Sequence, residues 1–201
     1  SHFGMISCLQ AGAAGLPFMP INPTAATSLE KANPRIKRVV DPYSDKELIA
    51  VPALNPDVAI IHVQRADING NAHLWGIVGE QKEAAFAAEK VILTAEEIVD
   101  EEIIRSDPNR TLIPGFIVDA VCHVPKACHP SYAQGYYDRD NAFYMGWDKV
   151  SKSVESVQEW LDKWVYGTKD HEEYWQKLGE EKHKNLEVEA RFSAPTNYGK
   201  Y

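Results

Sequence analysis

Gln64, Arg65, Asp67, Asn69, Asn71 and His73 crowd into one short stretch of the chain. They directly follow Val58-Ala59-Ile60-Ile61-His62-Val63, a near-continuous apolar run of strand length. Such runs belong to strands buried on both faces, as in parallel-type sheets. In α/β sheets, ligands gather beyond the carboxyl ends of the strands. An amide, a guanidinium and an imidazole placed there could position an acyl or carboxylate group without doing covalent chemistry. Gln64, Asn71 and His73 are therefore candidates to line or support a cleft. A second reading stands beside this one: Asp67 and Asn69 can satisfy local backbone N–H groups, making the stretch a polar turn that orders itself.

Other chemistry-bearing residues lead less far. Cys122-His123 and Cys128-His129 suggest a metal cluster, but their spacing fits none of the usual zinc patterns, and no metal is expected. One buried cysteine and two hydrogen-bonded histidines are the simpler expectation. Glu96-Glu97 and Glu101-Glu102 read as the solvated face of a helix. No Gly-rich loop ends in Lys-Ser/Thr, no G-x-G-x-x-G follows a strand, and no G-x-S-x-G or H-E-x-x-H occurs. No self-contained catalytic constellation emerges, and no catalytic residue is assigned.

The 201 residues suit one domain or about one and a half. With 44% hydrophobic and 25% charged residues, the composition is that of an ordinary globular protein. Lys plus Arg total 21 against 29 Asp plus Glu, a net charge of −8. An acidic chain repels phosphate, so neither nucleic acid nor membrane is an expected partner. The three cysteines cannot all pair within one chain, and no secretion signal is expected. Free thiols in a cytoplasmic setting are expected.

The elements that must carry these residues alternate. Phe3 to Leu9 reads as a helix ended by Leu16-Pro17-Phe18-Met19-Pro20. Ile36 to Val51, with a turn cluster at Asp41–Asp45, reads as a β-hairpin. After the Val58–Val63 strand, Asn69-Gly70-Asn71 turns the chain into a short strand at Ala72–Trp75. Glu80 to Lys90 is helical by composition, and Val91-Ile92-Leu93 is a buried strand. Thr94 with Glu97 reads as a capping box opening an amphipathic helix. Phe116–Val118 and Ala120–Val121 read as a strand running to Pro125. Strand, helix, strand, helix and strand argue an α/β fold. Beyond Asn141 the character turns helical. Val157, Trp160, Leu161 and Trp164 form a stripe expected to bury Trp160 and Trp164 against the chain's own sheet. Asp170 and Glu173 read as another cap. The expected organisation is an α/β portion over 1–140, helices packing on it over 141–190, and a tail over 191–201.

Three stretches add a resemblance. They are Leu48–Pro52 with Asp57–Asp67, Gly70-Asn71 and Trp75-Gly76; Thr94–Val99 with Ile103–Pro108; and Ile113-Pro114-Gly115, Val118–Val121, His129-Pro130-Ser131 and Gly135–Asn141. Together with Gly15-Leu16-Pro17-Phe18, in this order and spacing, they resemble the alpha subunit of class I CoA-transferases, closest to the glutaconate CoA-transferase group. The likeness runs to about Gly179.

The resemblance implies an open, mostly parallel sheet flanked by helices, with a helical C-terminal extension and a beta-subunit partner in a hetero-oligomer. It implies that CoA moves from an acyl-CoA to a mono- or dicarboxylic acid. A glutamate attacks the thioester, giving an acyl-glutamyl anhydride and then a glutamyl-CoA thioester. That glutamate belongs to the beta subunit, so none here inherits the role. Coenzyme A enters as substrate, with no tightly bound cofactor. Gln64, Asn71 and His73 would line or support the cleft between the subunits. The family's N-terminal portion is expected to precede Ser1, and this stretch alone to be inactive. Two alternatives stay open: a CoA-thioester hydrolase of ring-cleavage products on the same scaffold, and a non-catalytic domain.

Overall fold

The computed structural model describes residues 2–23 and 28–188. The expected tail, 191–201, lies outside the described residues. By density of internal contact the chain forms two compact units that interleave in sequence. Unit 1 holds the chain up to Ile61, then Ala66–Leu93 and Val99–Cys122. Unit 2 holds His62–Arg65, Thr94–Ile98 and the chain from His123 onward.

In unit 1, helix α1 (His2–Ala13) is followed by strand β1 (Phe18–Ile21), the short helix α2 (Leu29–Ala32) and strands β2 (Lys37–Val40) and β3 (Glu47–Pro52). The three strands make an antiparallel sheet in the order β1-β3-β2, with Phe18 opposite Pro52 and Val40 opposite Glu47. The hairpin expected at Ile36–Val51 is therefore formed. Strand β1 was not anticipated: Leu16–Pro20 reads as a helix stop, yet Phe18-Met19-Pro20-Ile21 pairs with β3. Ile21, Ile49 and Val51 make a small core under Cys8, Met19 and Ile36. Full burial of such a side chain contributes roughly 1.5–3 kcal/mol.

A second sheet contains β4 (Val58–Ala66), β5 (Ala72–His73), β6 (Lys90–Ile98), β7 (Thr111–Ile113) and β8 (Ala120–His123), in the order β7-β5-β4-β6-β8. Lys90 and Val99 N–H donate to the Asp57 and Ala66 carbonyls, so β4 and β6 run parallel. Asp119 and Val124 N–H donate to the Val91 and Ala95 carbonyls, so β6 and β8 run parallel too. Strands β5 and β7 pair antiparallel. Helices α3 (Gln81–Ala87) and α4 (Glu101–Ser106) complete unit 1. The α/β expectation holds.

Two local expectations do not hold. No helix opens at Thr94: β6 continues to Ile98, and α4 begins at Glu101 after Asp100. Period-two burial of Val91, Leu93 and Ala95 outweighs the capping pattern. Phe116 is not in a strand either; Gly115–Ile117 is a 3-10 turn that leaves Phe116 exposed, and β8 begins after it.

In unit 2, α5 (Asn141–Val150), α6 (Val154–Trp164), α7 (His171–Leu178) and α8 (Glu180–Asn185) follow one another. Side chains of Asp140, Ser153 and Asp170 cap the first three by accepting from the N–H groups of Phe143, Ser156 and Glu173. Trp160 and Trp164 are half-buried rather than buried. Their ring partners are Phe143, Trp147 and Tyr174 in edge-to-face geometry, helix against helix.

Candidate functional site

Glu96 is the centre of unit 2's polar chemistry. Alternation along β6 would send it to the face opposite Ala95, but its carboxylate is buried all the same. Partners distant in sequence make this possible. His62 Nε2 and the Tyr137 hydroxyl each donate to Oε1 at 2.8 Å. The Lys126 N–H donates to Oε2 at 2.7 Å. His62 Nδ1 reaches Thr94 Oγ1 at 2.9 Å, and Tyr137 Oη accepts from the Cys128 N–H at 2.8 Å. A buried carboxylate without such donors would be prohibitively costly.

The electrostatics follow from this packing. Burial opposes charge on His62, but its interactions with Cys128 and Glu96 outweigh it and push its pKa up to about 9. Burial, then interactions with Cys128 and Glu96, hold Tyr137 far above its ordinary value, so its hydroxyl stays a donor. Imidazolium, phenol and carboxylate thus form a fixed set at neutral pH.

Beside this set lies a cavity of about 340 Å³, lined by Glu96, Glu97, Lys126, Tyr136, Tyr137 and Trp175 among others. Lys126 adopts a left-handed backbone with φ 67°, and its Nζ sits 4.8 Å from the centre of the Trp175 ring. Glu97 is held by Arg65 Nε at 3.1 Å. The arrangement can bind and orient a small polar molecule; the carboxylate itself is engaged by three donors. Farther along the unit, His129 Nε2 donates to Asp140 at 3.1 Å and Nδ1 accepts from Tyr174. Burial keeps His129 below its ordinary pKa, although Asp140 works against it.

Of the residues expected from sequence, Gln64 shares unit 2 with Glu96, and Asn71 and His73 belong to unit 1. Asn71 belongs to unit 1, where Nδ2 donates to Asp67 Oδ2 at 2.8 Å and Oδ1 accepts from the Gly115 N–H at 2.9 Å. Asp67 Oδ1 accepts from the N–H groups of Asn69 and Asn71, both at 2.9 Å. The loop thus orders itself, as one of the two readings anticipated. His73, in β5, is buried and donates from Nε2 to the Ile104 carbonyl at 3.0 Å. Gln64 is buried in β4 and belongs to unit 2. Asn71 and His73 share a unit; Gln64 is not grouped with them.

Sequence reading missed Glu96, which it placed on a solvated helix face; Glu101 and Glu102 do sit exposed in the first turn of α4. Among the described residues, no three His, Cys, Asp or Glu side chains converge as a metal-binding set. His123 is engaged, its Nε2 donating to the Glu96 carbonyl at 3.2 Å. All three cysteines are free: Cys122 is exposed, and Cys8 and Cys128 are half-buried. Among the described residues no helix is long and apolar enough to cross a membrane.

The chain is similar to several known proteins. One subunit of the 3-oxoadipate CoA-transferase of Pseudomonas knackmussii is 46% identical over 182 residues, covering 90% of this chain and 64% of that protein. The crystal structure of glutaconate coenzyme A-transferase from Acidaminococcus fermentans superposes with a TM-score of 0.82 at 36% identity, covering 96% of this chain and 66% of that one. The cholesterol ring-cleaving hydrolase IpdA subunit of Rhodococcus jostii is 32% identical over 177 residues, covering 83% of this chain and 60% of that protein. The chain spans slightly less than two thirds of the length of these relatives. The Coenzyme A transferase family model matches residues 2–123. This chain belongs to the coenzyme A transferase family.

Proposed function

We propose that the chain is part of the alpha subunit of a heteromeric CoA-transferase that moves CoA between an acyl-CoA and a mono- or dicarboxylic acid. The observation that carries this reading is the 46% identity to one subunit of a 3-oxoadipate CoA-transferase, across nine tenths of the chain. The nucleophile is a glutamate of the beta subunit, which forms the glutamyl-CoA thioester; coenzyme A is a substrate, not a resident cofactor. This chain's part is to position. Asn71 and His73 support the cleft between the subunits by holding their loop and strand in place, and Gln64 lines or supports the same cleft.

The test is reconstitution of the complete alpha subunit with its beta subunit. CoA exchange from an acyl-CoA to 3-oxoadipate or glutaconate supports the reading; absence of exchange with any acid of that class refutes it. Gln64→Ala and His73→Ala should each lower kcat/KM by about 1–3 kcal/mol in transition-state terms. Unchanged kinetics with reduced thermal stability would leave both residues purely structural.

A second reading has its own support, the 32% identity to a ring-cleaving hydrolase subunit. On that reading the same two-subunit scaffold hydrolyses the CoA thioester of a ring-cleavage product. Release of free CoA without any acceptor acid would favour it.

A further inference from the structure

Lys126 holds a backbone conformation that is costly for a lysine. Its φ of 67° lies in the left-handed region, which glycine enters freely and other residues do not. The buried Glu96 carboxylate fixes the Lys126 N–H there at 2.7 Å. The side chain is thereby delivered to the cavity of about 340 Å³ in unit 2, with Nζ 4.8 Å from the centre of the Trp175 ring. Among the described residues this exposed ammonium makes no hydrogen bond and no ion pair. The carboxylates deeper in the lining are already matched: Glu96 meets His62 at 2.8 Å and Glu97 meets Arg65 at 3.1 Å. Glu187, exposed, adds one more carboxylate to the lining. The rest of the wall is largely apolar: Tyr137, Trp175 and Leu186 are buried, and His183 stacks on Trp175 with ring centres 4.8 Å apart and planes 5° apart.

From this we infer that the cavity is a binding site for a small carboxylic acid with one negative charge and a flat apolar body, and that Lys126 holds its carboxylate. Non-glycine residues persist in sparsely populated backbone regions only where their surroundings over-determine them, and such positions gather at ligand sites. A glycine at 126 would offer Glu96 the same N–H at less cost, so what lysine adds is its ammonium. Aromatic walls suit a flat ring, and a few polar groups among them fix its orientation. One charge fits better than two, because Glu97 and Glu187 would repel a second carboxylate or a phosphate dianion. The inference concerns recognition alone and stands whether or not the CoA-transferase reading does.

The experiment titrates benzoate into the complete subunit that contains this chain, by isothermal calorimetry. Saturable binding at one site is expected. Lys126→Ala and Lys126→Gly should each weaken it by at least about tenfold, and Lys126→Arg, which keeps the charge, by no more than about threefold. Lys126→Gly should nonetheless melt above Lys126→Ala, because glycine takes a φ of 67° without strain. Lys163→Ala removes another ammonium that lies over an indole, 4.6 Å from the Trp164 ring centre, and should leave binding unchanged. A wild-type subunit that binds no benzoate overturns the inference, and that is the result if chain outside the described residues already fills the cavity. Weakening in Lys126→Ala but not in Lys126→Gly overturns it too, since the effect would then come from the backbone and not from the charge. Phthalate, a dianion, binding as tightly as benzoate would overturn the single-charge assignment.

Discussion

Unit 1 buries Asp67 and unit 2 buries Glu96, each at the heart of a polar network, and they do so by opposite means. Asp67 is satisfied by partners two and four residues away, closing a single loop on itself. Glu96 is satisfied by His62, Lys126 and Tyr137, which lie 30 to 41 residues away in sequence. The first network can form as soon as the turn forms. The second exists only once β4, β6 and the segment leading to Tyr137 have assembled, so its loop-closure entropy is met by the rest of the core. The local network makes a rigid edge, and the distant one ties a whole unit together.

Removing Glu96 should break the comparison most visibly. Glu96→Leu strands an imidazolium, a phenol and a backbone N–H, and should cost about 3–5 kcal/mol in urea unfolding. A loss under about 1 kcal/mol would mean that the network is dispensable. The next effect is pH dependence. His62 titrates near 9 in the folded chain, above the roughly 6.5 of an unfolded histidine. The folded state therefore holds that proton more tightly. The stability it brings is full below about pH 6.5 and is lost as pH rises through 9, by up to about 3 kcal/mol. Urea midpoints across that window should fall in the wild type and flatten in His62→Gln. Asp67→Ala should cost about 2 kcal/mol, the desolvation of stranded N–H groups, and should leave that pH profile unchanged. A profile altered by Asp67→Ala would show the two networks to be coupled. Smallest of all, Arg105→Ala removes an exposed i,i+4 pair with Glu101 and should change stability by less than about 0.5 kcal/mol.

The same contrast explains what was legible in the sequence. The Asp67 loop could be read because its donors and acceptor are sequence neighbours, and Asn-Gly announces the turn. The Val58–Val63 strand and the β2–β3 hairpin were readable by run length and turn chemistry. Glu96 was not readable, because Thr94-x-x-Glu97 matches a capping box and nothing near it in sequence announces Tyr137 or Lys126. Strand β1 was hidden behind two prolines, and β7 is too short to show a pattern. Trp160 and Trp164 had the right helix and the right stripe. Periodicity says which face is apolar but not what meets it, and here the rings meet other helices.

The three free thiols turn the division into units into something that can be timed. Cys122, exposed in unit 1, should react with an alkylating reagent at once and serve as an internal clock. Cys8, also in unit 1, is held above its ordinary pKa by burial, so its labelling should wait on local opening there. Cys128, half-buried in unit 2, reports on the other unit. Pulse alkylation followed by peptide mass spectrometry would then read two opening rates from one sample without any engineered probe. Equal rates at Cys8 and Cys128 would mark a molecule that opens as a whole. Separated rates would mark two units that breathe independently.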